Sequence, residues 1–541
     1  MNELDAESCI LFELGKHNYS EGDYAKALVN YRALLSTNAK NNEVLFELGK
    51  TYYKLGAYAL SLDYLKQCLA ELPENGYARL LMAKCYISYN RYDLVIKELK
   101  EACRLLDSGE AYFELGLAYE AQGDYCGAIE YLKKAREKGE DISRASFQLA
   151  RAYRETGEYE LSVKTFETMR SLSIYKDSEF YKNKIDNEIE ISQKKIILVS
   201  KPMVLGVTLT HNCNIRCRMC SYWNDPWSIP DRRIEEIRGL FPYLRHVYWQ
   251  GGEPFFSPYF KELFENASLF PNLLQTVVTN GLFIDEQWAQ KLVRSNVAII
   301  WSIDSTNKQT YEHIRVGAKF EHMQENILRL NKYREVASRN QTLSPEFRMI
   351  MQSTIMKYNY REVEHLVEFA KSNKFDGINI IPIRVVENED NIFHTNDQKA
   401  ISFLEKVLPA ILKKYDDPGF RVFNQLPVRL CNQESLSVIE EPQGEMVCSA
   451  NNAVPDFLHT ESSLLCYWPW KSMYVLYAGT VRPYGFCEHD IGNINDQSLE
   501  DIWNSRPMQE YRKRILSNER GEMCSNRCIS GILPKDSLKL D

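Results

Sequence analysis

Cys213, Cys217 and Cys220 lie in the run Cys-Asn-Ile-Arg-Cys-Arg-Met-Cys, directly after the apolar stretch Val204–Leu209. Three thiols in so short a loop can converge on one metal centre. A 4Fe–4S cluster has four irons, each normally capped by a thiolate, so three ligands leave one iron open to bind a reactant. The ferredoxin spacing differs and supplies more cysteines. Zinc held by the triplet plus His211 is the other reading, because zinc also accepts a Cys₃His set. About 30 residues on, Arg245–Trp249 runs into Gln250-Gly-Gly-Glu-Pro254. Two glycines let backbone approach a ligand closely, and the Glu253 carboxylate can accept from an ammonium group. Alone, Gly-Gly-Glu-Pro is a turn signal. Downstream of the cysteines it points to a ligand pocket.

Strands must carry these motifs. Apolar, β-rich runs recur at Val204–Leu209, Arg245–Trp249, Leu274–Thr279, Ala298–Ile303, Phe347–Ile355 and Gly377–Ile383. Amphipathic helical stretches such as Asp285–Arg294 and Tyr360–Asn373 separate them. That alternation predicts a parallel sheet with right-handed crossovers. Ligands of such sheets bind at the carboxyl ends of the strands, where both motifs fall.

By these motifs, residues 203–383 resemble a radical S-adenosylmethionine (SAM) enzyme core. The resemblance implies a partial (β/α)₆ barrel. It implies a 4Fe–4S cluster on Cys213, Cys217 and Cys220 whose open iron chelates SAM, with Gly251, Gly252 and Glu253 as SAM contacts. Reductive cleavage of SAM to a 5′-deoxyadenosyl radical, followed by hydrogen abstraction, would be the chemistry. Ser302, in Ser302-Ile-Asp304-Ser305, takes the family's ribose-contacting role. Asp304 either bonds within its loop or touches ligand. Arg315 either reaches the SAM carboxylate or is a surface arginine, the reading favoured from sequence. Thr279-Asn280-Gly281 reads as a turn. Met219 stands where the family often has an aromatic residue, and as a bulky apolar side chain it is expected to shield the cluster face. The fifth strand lacks a glycine-rich SAM signature, so its contacts stay unassigned.

Cys466, Cys487, Cys524 and Cys528 form a second set. The segments Gly479-Thr-Val-Arg-Pro483, Ile502-Trp503-Asn-Ser505 and Cys524-Ser-Asn-Arg-Cys528 resemble the auxiliary-cluster domains called SPASM and twitch. Met473–Tyr477 and Thr480–Arg482 read as a hairpin. A full SPASM domain needs about seven cysteines; Cys431 and Cys448 raise the count here only to six. The resemblance therefore implies one auxiliary 4Fe–4S cluster on the four cysteines, closed to substrate. Tyr484 occupies the position expected for the second ligand, with Cys487 three residues later. A zinc knob is the alternative. Glu488, His489 and Asp490 are candidate bases, with surface solvation the plainer reading.

The first 174 residues repeat with a period of 33 to 34. Tyr24, Tyr58, Tyr92, Tyr125 and Tyr159 mark equivalent positions, preceded by Gly22, Gly56, Asn90, Gly123 and Gly157. Small residues recur at Gly15, Gly49, Ala83, Gly116 and Ala150. The pattern resembles the tetratricopeptide repeat, and five copies suffice for a superhelical stack. Packing is the plain role of the tyrosines; a concave surface for a partner segment is the functional one.

The expected architecture is thus multidomain: an all-α tetratricopeptide superhelix (1–174), a linker helix (175–200), an α/β radical SAM barrel (201–395), a connecting helix and loop (396–465) and a small α+β auxiliary-cluster domain (466–541). The 541 residues carry a net charge of −8 with no basic block, which gives nucleic-acid or membrane-surface binding no support. No apolar run approaches the roughly 20 residues of a membrane span, and the acidic N-terminus lacks a signal-peptide pattern. Fourteen cysteines in such a chain argue for metal ligation and a cytoplasmic protein. The leading expectation is an enzyme that oxidatively modifies a peptide or protein held by the repeats, fed by an external electron donor. The alternatives are a sugar-type dehydrogenase or epimerase whose repeats serve assembly, and a non-catalytic iron–sulfur adaptor.

Overall fold

The computed structural model describes residues 6–36, 42–89, 91–172, 176–222, 226–384, 388–415, 420–428, 466–485, 487–519 and 523. Their contacts divide the chain into two compact units, the described residues of one lying before 173 and those of the other after it.

The first unit is five helical hairpins: α1 (Ala6–Ser20) and α2 (Tyr24–Ser36), α3 (Asn42–Lys54) and α4 (Tyr58–Glu71), α5 (Gly76–Ile87) and α6 (Tyr92–Leu106), α7 (Gly109–Ala121) and α8 (Tyr125–Glu137), α9 (Ile142–Glu155) and α10 (Tyr159–Met169). The marker tyrosines are the first residues of the second helices. Gly22, Gly56, Gly123 and Gly157 have positive φ and turn the chain between partners; Asn90 lies outside the described residues. The small-residue column lets each first helix touch its partner. A Cβ at Gly49 or Gly116 would lie 2.7 Å from Leu65 or Leu132.

The second unit is built on one ten-stranded sheet. In chain order its strands are β1 (Val204–Thr210), β3 (His246–Gly251), β4 (Leu274–Thr279), β5 (Val297–Ser302), β7 (Arg348–Ile355), β8 (Gly377–Pro382), β9 (Arg421–Asn424), β10 (Ser472–Val475), β11 (Thr480–Arg482) and β12 (Gly492–Asn493). The spatial order is β12-β11-β10-β1-β3-β4-β5-β7-β8-β9. All neighbours are parallel except β10–β11 and β11–β12. The two short strands β2 (Arg216–Cys217) and β6 (Arg315–Val316) pair antiparallel in a sheet of their own. The six predicted strands all form. Trp249, Trp301, Phe241, Phe260 and Phe264 are fully buried in the core between sheet and helices.

Two features go beyond the sequence reading. The predicted C-terminal hairpin forms, but β10 lies parallel to β1 and covers what would be the open edge of the barrel sheet. The predicted linker helix forms as α11 (Glu179–Ser192), yet it is no solvated connector. Asn187, Glu188, Glu190 and Ser192 are buried. Glu188 pairs with Lys471 at 2.9 Å, and Asn187 donates to the Trp470 carbonyl at 2.6 Å. The strand-side segment after α11 takes indole donations from Trp470 to Lys195 O and from Trp503 to Ser200 O. Asn504 exchanges two hydrogen bonds with Leu198. The helix and its tail therefore clasp the C-terminal elements.

Candidate functional site

β1 ends at Thr210 and feeds the cysteine loop. Gly252 N–H donates to Thr210 O at 2.7 Å and Glu253 N–H to Asn212 O at 3.0 Å, so the Gly-Gly-Glu segment runs along the loop backbone. This contact explains the glycines. A Cβ on Gly252 would come within 2.5 Å of His211 O and closer still to Asn212 O. Gly251 has φ +126°, and its Cβ would meet Thr210 O. Close approach of backbone to backbone, as well as to ligand, is what these positions require.

Glu253 is fully buried. Its carboxylate accepts from Thr279 Oγ1 (2.8 Å), Phe255 N (3.3 Å) and Asn280 N (2.8 Å). Burial pushes its pKa up to about 7, against the pull of these donors. Thr279-Asn280 thus does more than turn the chain, as the sequence reading had it. It anchors Glu253, and Asn280 Nδ2 also lies 3.7 Å from Cys213 Sγ and 2.8 Å from Asn214 Oδ1. Gly281 follows with φ +75°, packed over Trp301.

Arg315 corrects the surface reading. It is 5% exposed and directly opposite Cys217 in the β2–β6 ladder. Its Nη2 pairs with Asp304 Oδ2 at 2.8 Å and its Nη1 lies 3.7 Å from Cys217 Sγ. Asp304, from just beyond β5, is fully buried and accepts from Thr354 N at 2.8 Å. The arginine is buried because its charge has this partner, which spacing alone does not reveal. Burial raises the Asp304 carboxyl pKa, with Arg315 acting against it. For Arg315, burial is outweighed by Asp304 and then Cys217, so the guanidinium stays charged.

Cys213, Cys217 and Cys220 are partly buried on this loop. Burial raises the Cys213 thiol pKa and pushes Cys217 up to about 12. Among the described residues no three His, Cys, Asp or Glu side chains close into a metal-holding group. The donor set nonetheless suits an iron–sulfur cluster: three thiols on one loop, an amide N–H on one sulfur and a guanidinium N–H on another. His211 does not suit the Cys₃His zinc reading. Its Nε2 accepts from Ala478 N at 3.2 Å and its ring stacks on Tyr477 at 4.4 Å. Met219 packs against Ile314, Met356 and Ile383 beside the loop. Ser302 is the partly buried last residue of β5, opposite Gln352.

In the C-terminal elements, Cys487 is buried, its carbonyl taking a 2.8 Å bond from Arg482 Nη1. Cys466 is partly buried against the core. Tyr484, at the expected ligand position, stacks on Trp468 at 4.1 Å. Cys431, Cys448, Cys524 and Cys528 lie outside the described residues. Glu488, His489 and Asp490 are exposed, with Asp490 paired to Arg482 at 2.6 Å.

Comparison with known families adds the decisive observation. Residues 207–370 match the model of the Radical SAM superfamily. The chain carries a radical SAM domain. Residues 466–529 match the SPASM iron–sulfur cluster-binding domain, and residues 12–76, 54–102, 90–143 and 113–173 match tetratricopeptide-repeat models. A radical SAM domain brings a 4Fe–4S cluster and SAM, and a SPASM domain brings auxiliary iron–sulfur clustering; the chain is an enzyme of this class. It is 24% identical over 326 residues to the tungsten-containing aldehyde ferredoxin oxidoreductase cofactor-modifying protein of Pyrococcus furiosus, covering 57% of this chain and 82% of that one. It is 22% identical over 339 residues to the cysteine-type anaerobic sulfatase-maturating enzyme of Clostridium novyi, covering 57% and 80%. The crystal structure of Streptococcus suis SuiB bound to precursor peptide SuiA is similar over 69% of this chain and 83% of that one, at 16% identity and a TM-score of 0.43. Among the described residues, no helix is long and apolar enough to cross a membrane.

Proposed function

We propose that this radical SAM enzyme oxidatively modifies a peptide or protein, or a carrier of its substrate, that is held by the tetratricopeptide repeats. The carrying observation is the cysteine loop locked against Gly251, Gly252 and Glu253 in a chain that also bears five helical hairpins. When bound, the cluster and SAM supply a 5′-deoxyadenosyl radical that abstracts hydrogen. Cys213, Cys217 and Cys220 would hold the cluster. The Gly251–Glu253 segment and Ser302 at the end of β5 would contact SAM. Glu253 fixes the segment through Thr279 and Asn280. Cys466, Cys487, Cys524 and Cys528 would hold one auxiliary cluster. Tethering a substrate to the same chain raises its effective concentration. Of two curated relatives, one is named for maturing a sulfatase, which supports a protein target, and the other for modifying a cofactor.

The test is an anaerobic incubation of the reconstituted enzyme with SAM, a reductant and short peptides encoded beside its gene. The expected result is peptide that loses two hydrogens in step with 5′-deoxyadenosine. Coupling instead to a free sugar, with no peptide changed, would establish the small-molecule reading.

A further inference from the structure

We infer that Arg315, anchored by Asp304, is a positioning residue that sets the reduction potential of the cluster held by Cys213, Cys217 and Cys220 through its contact with the Cys217 sulfur. The inference rests on the proposed reading of those cysteines as ligands.

The geometry begins with backbone. β2 and β6 are each two residues long, and their register places Cys217 directly across from Arg315. Directly opposed residues of an antiparallel pair project to the same face and touch. Arg218 N–H donating to Ile314 O at 3.0 Å extends the ladder. Gly317, with φ +96°, turns the chain away immediately after β6, and Ala318 N–H closes that turn on Arg315 O at 2.9 Å. Arg315 is thus fixed at its Cα before its side chain makes any contact.

The side chain then points two ways. Nη2 meets Asp304 at 2.8 Å, while Nη1 meets Cys217 Sγ at 3.7 Å. Asp304 is held in turn by the barrel wall. Its Oδ1 accepts from Thr354 N in β7, and its carbonyl accepts from Asn359 Nδ2 at 2.6 Å. Tyr311, fully buried, lies near enough to interact electrostatically with both members of the pair. Burying an ion pair rarely adds net stability, because desolvation offsets the attraction. A pair kept here at that cost, with the Nη1 donor turned to a sulfur, suits control of that sulfur.

Hydrogen bonds to cluster sulfurs and nearby charge are among the terms that set the potential. A guanidinium N–H on Cys217 stabilises the more negative, reduced cluster. The Asp304 carboxylate offsets that positive charge. The two members of one ion pair therefore act with opposite sign. Arg315→Met should make reduction harder, and Asp304→Asn should make it easier. Arg315→Lys, which keeps the charge, should stay near wild type.

The test is an EPR-monitored redox titration of the full-length, anaerobically reconstituted protein. The signal followed is the one that SAM perturbs, and iron per chain is measured first. Arg315→Met is expected to shift the one-electron equilibrium at least tenfold toward the oxidised cluster, about 59 mV. Asp304→Asn is expected to shift it the other way, and Arg315→Lys to restore most of the loss. Iron-replete variants that titrate with the wild-type midpoint, or that both shift in the same direction, would overturn the inference. If Arg315→Met loses its iron, Asp304→Asn decides the matter: a shift toward the reduced cluster beside a near-wild-type Arg315→Lys supports the inference, and a wild-type or opposite midpoint in iron-replete Asp304→Asn overturns it. A wild-type protein with no SAM-perturbed signal would overturn the ligand reading itself.

Discussion

Arg315 and Arg512 are both buried in the second unit, and their partners differ. Arg512 Nε donates to Pro469 O, Nη1 to Ile196 O and Asn504 Oδ1, and Nη2 to Trp503 O, all at 2.7–2.9 Å. Its guanidinium also lies 4.8 Å from the Trp503 ring. These partners are neutral dipoles, and burial lowers its pKa to about 9 despite Glu190 nearby. Arg315 faces one carboxylate and one thiol. A guanidinium spent on carbonyls closes a structure by satisfying groups that water would otherwise need to reach. A guanidinium held by a carboxylate and aimed at sulfur carries its charge, in the proposed reading, to the cluster that Cys217 would hold. The same residue type thus marks the clasp of the C-terminal elements in one place and the cysteine loop in the other.

The largest effect is expected where the loop has no slack. Gly252→Ala must push on His211 and Asn212 backbone, displacing the loop that carries Cys213. A shift of about 1 Å at a reacting centre costs roughly a hundredfold, so SAM cleavage should fall by about that factor, with iron lost in parallel. Gly239→Ala, where an added Cβ meets nothing within 4 Å, should leave both unchanged. Next comes the clasp. Arg512→Leu strands buried carbonyls that cost about 1–3 kcal/mol each, so urea unfolding should show a loss of about 4 kcal/mol while the folded fraction keeps the wild-type cluster midpoint. A midpoint shift there would erase the contrast between the two arginines.

Glu253→Gln is smaller. An amide cannot accept at both ends, so one of Thr279 Oγ1, Phe255 N or Asn280 N loses its partner. That change should cost about 2 kcal/mol, measured by denaturation and accompanied by partial iron loss. The smallest effect concerns His246, buried beside Thr276 at 2.8 Å. Burial, then Arg245, lowers its pKa from 6.5 to about 3. A depressed histidine favours the folded state above its unfolded pKa and loses that contribution as pH falls toward 3. From pH 6.5 to pH 5, wild type should lose about 1.6 kcal/mol more than His246→Gln, the slope approaching about 1.4 kcal/mol per pH unit only at the acid end.

Much of this was legible in the sequence, for local reasons. The strands show as β-branched runs, and β1, predicted as Val204–Leu209, spans Val204–Thr210. The helical hairpins show because Tyr and Gly recur at one period. What stayed hidden depends on partners far along the chain. Arg315 read as exposed because a lone arginine usually is, and the ladder opposing it to Cys217 spans 98 residues. An acid and a base flanking the short helix Lys308–Ile314 after β5 were the available signal. Thr279-Asn280 read as a turn because the carboxylate it binds belongs to the previous strand end. The α11 clasp was hidden because polar residues such as Glu188 and Asn187 look solvated until Lys471 and Trp470 are placed beside them.

The central claim is that the cysteine triplet holds a cluster that cleaves SAM. The direct measurement is iron content and 5′-deoxyadenosine formation on anaerobically reconstituted wild type and on the Cys213→Ala, Cys217→Ala, Cys220→Ala triple variant. Two cubic clusters predict about eight irons falling to about four, with 5′-deoxyadenosine made by wild type alone. Little iron in wild type, zinc in its place and no SAM cleavage would contradict the account and leave a metal-stabilised repeat adaptor.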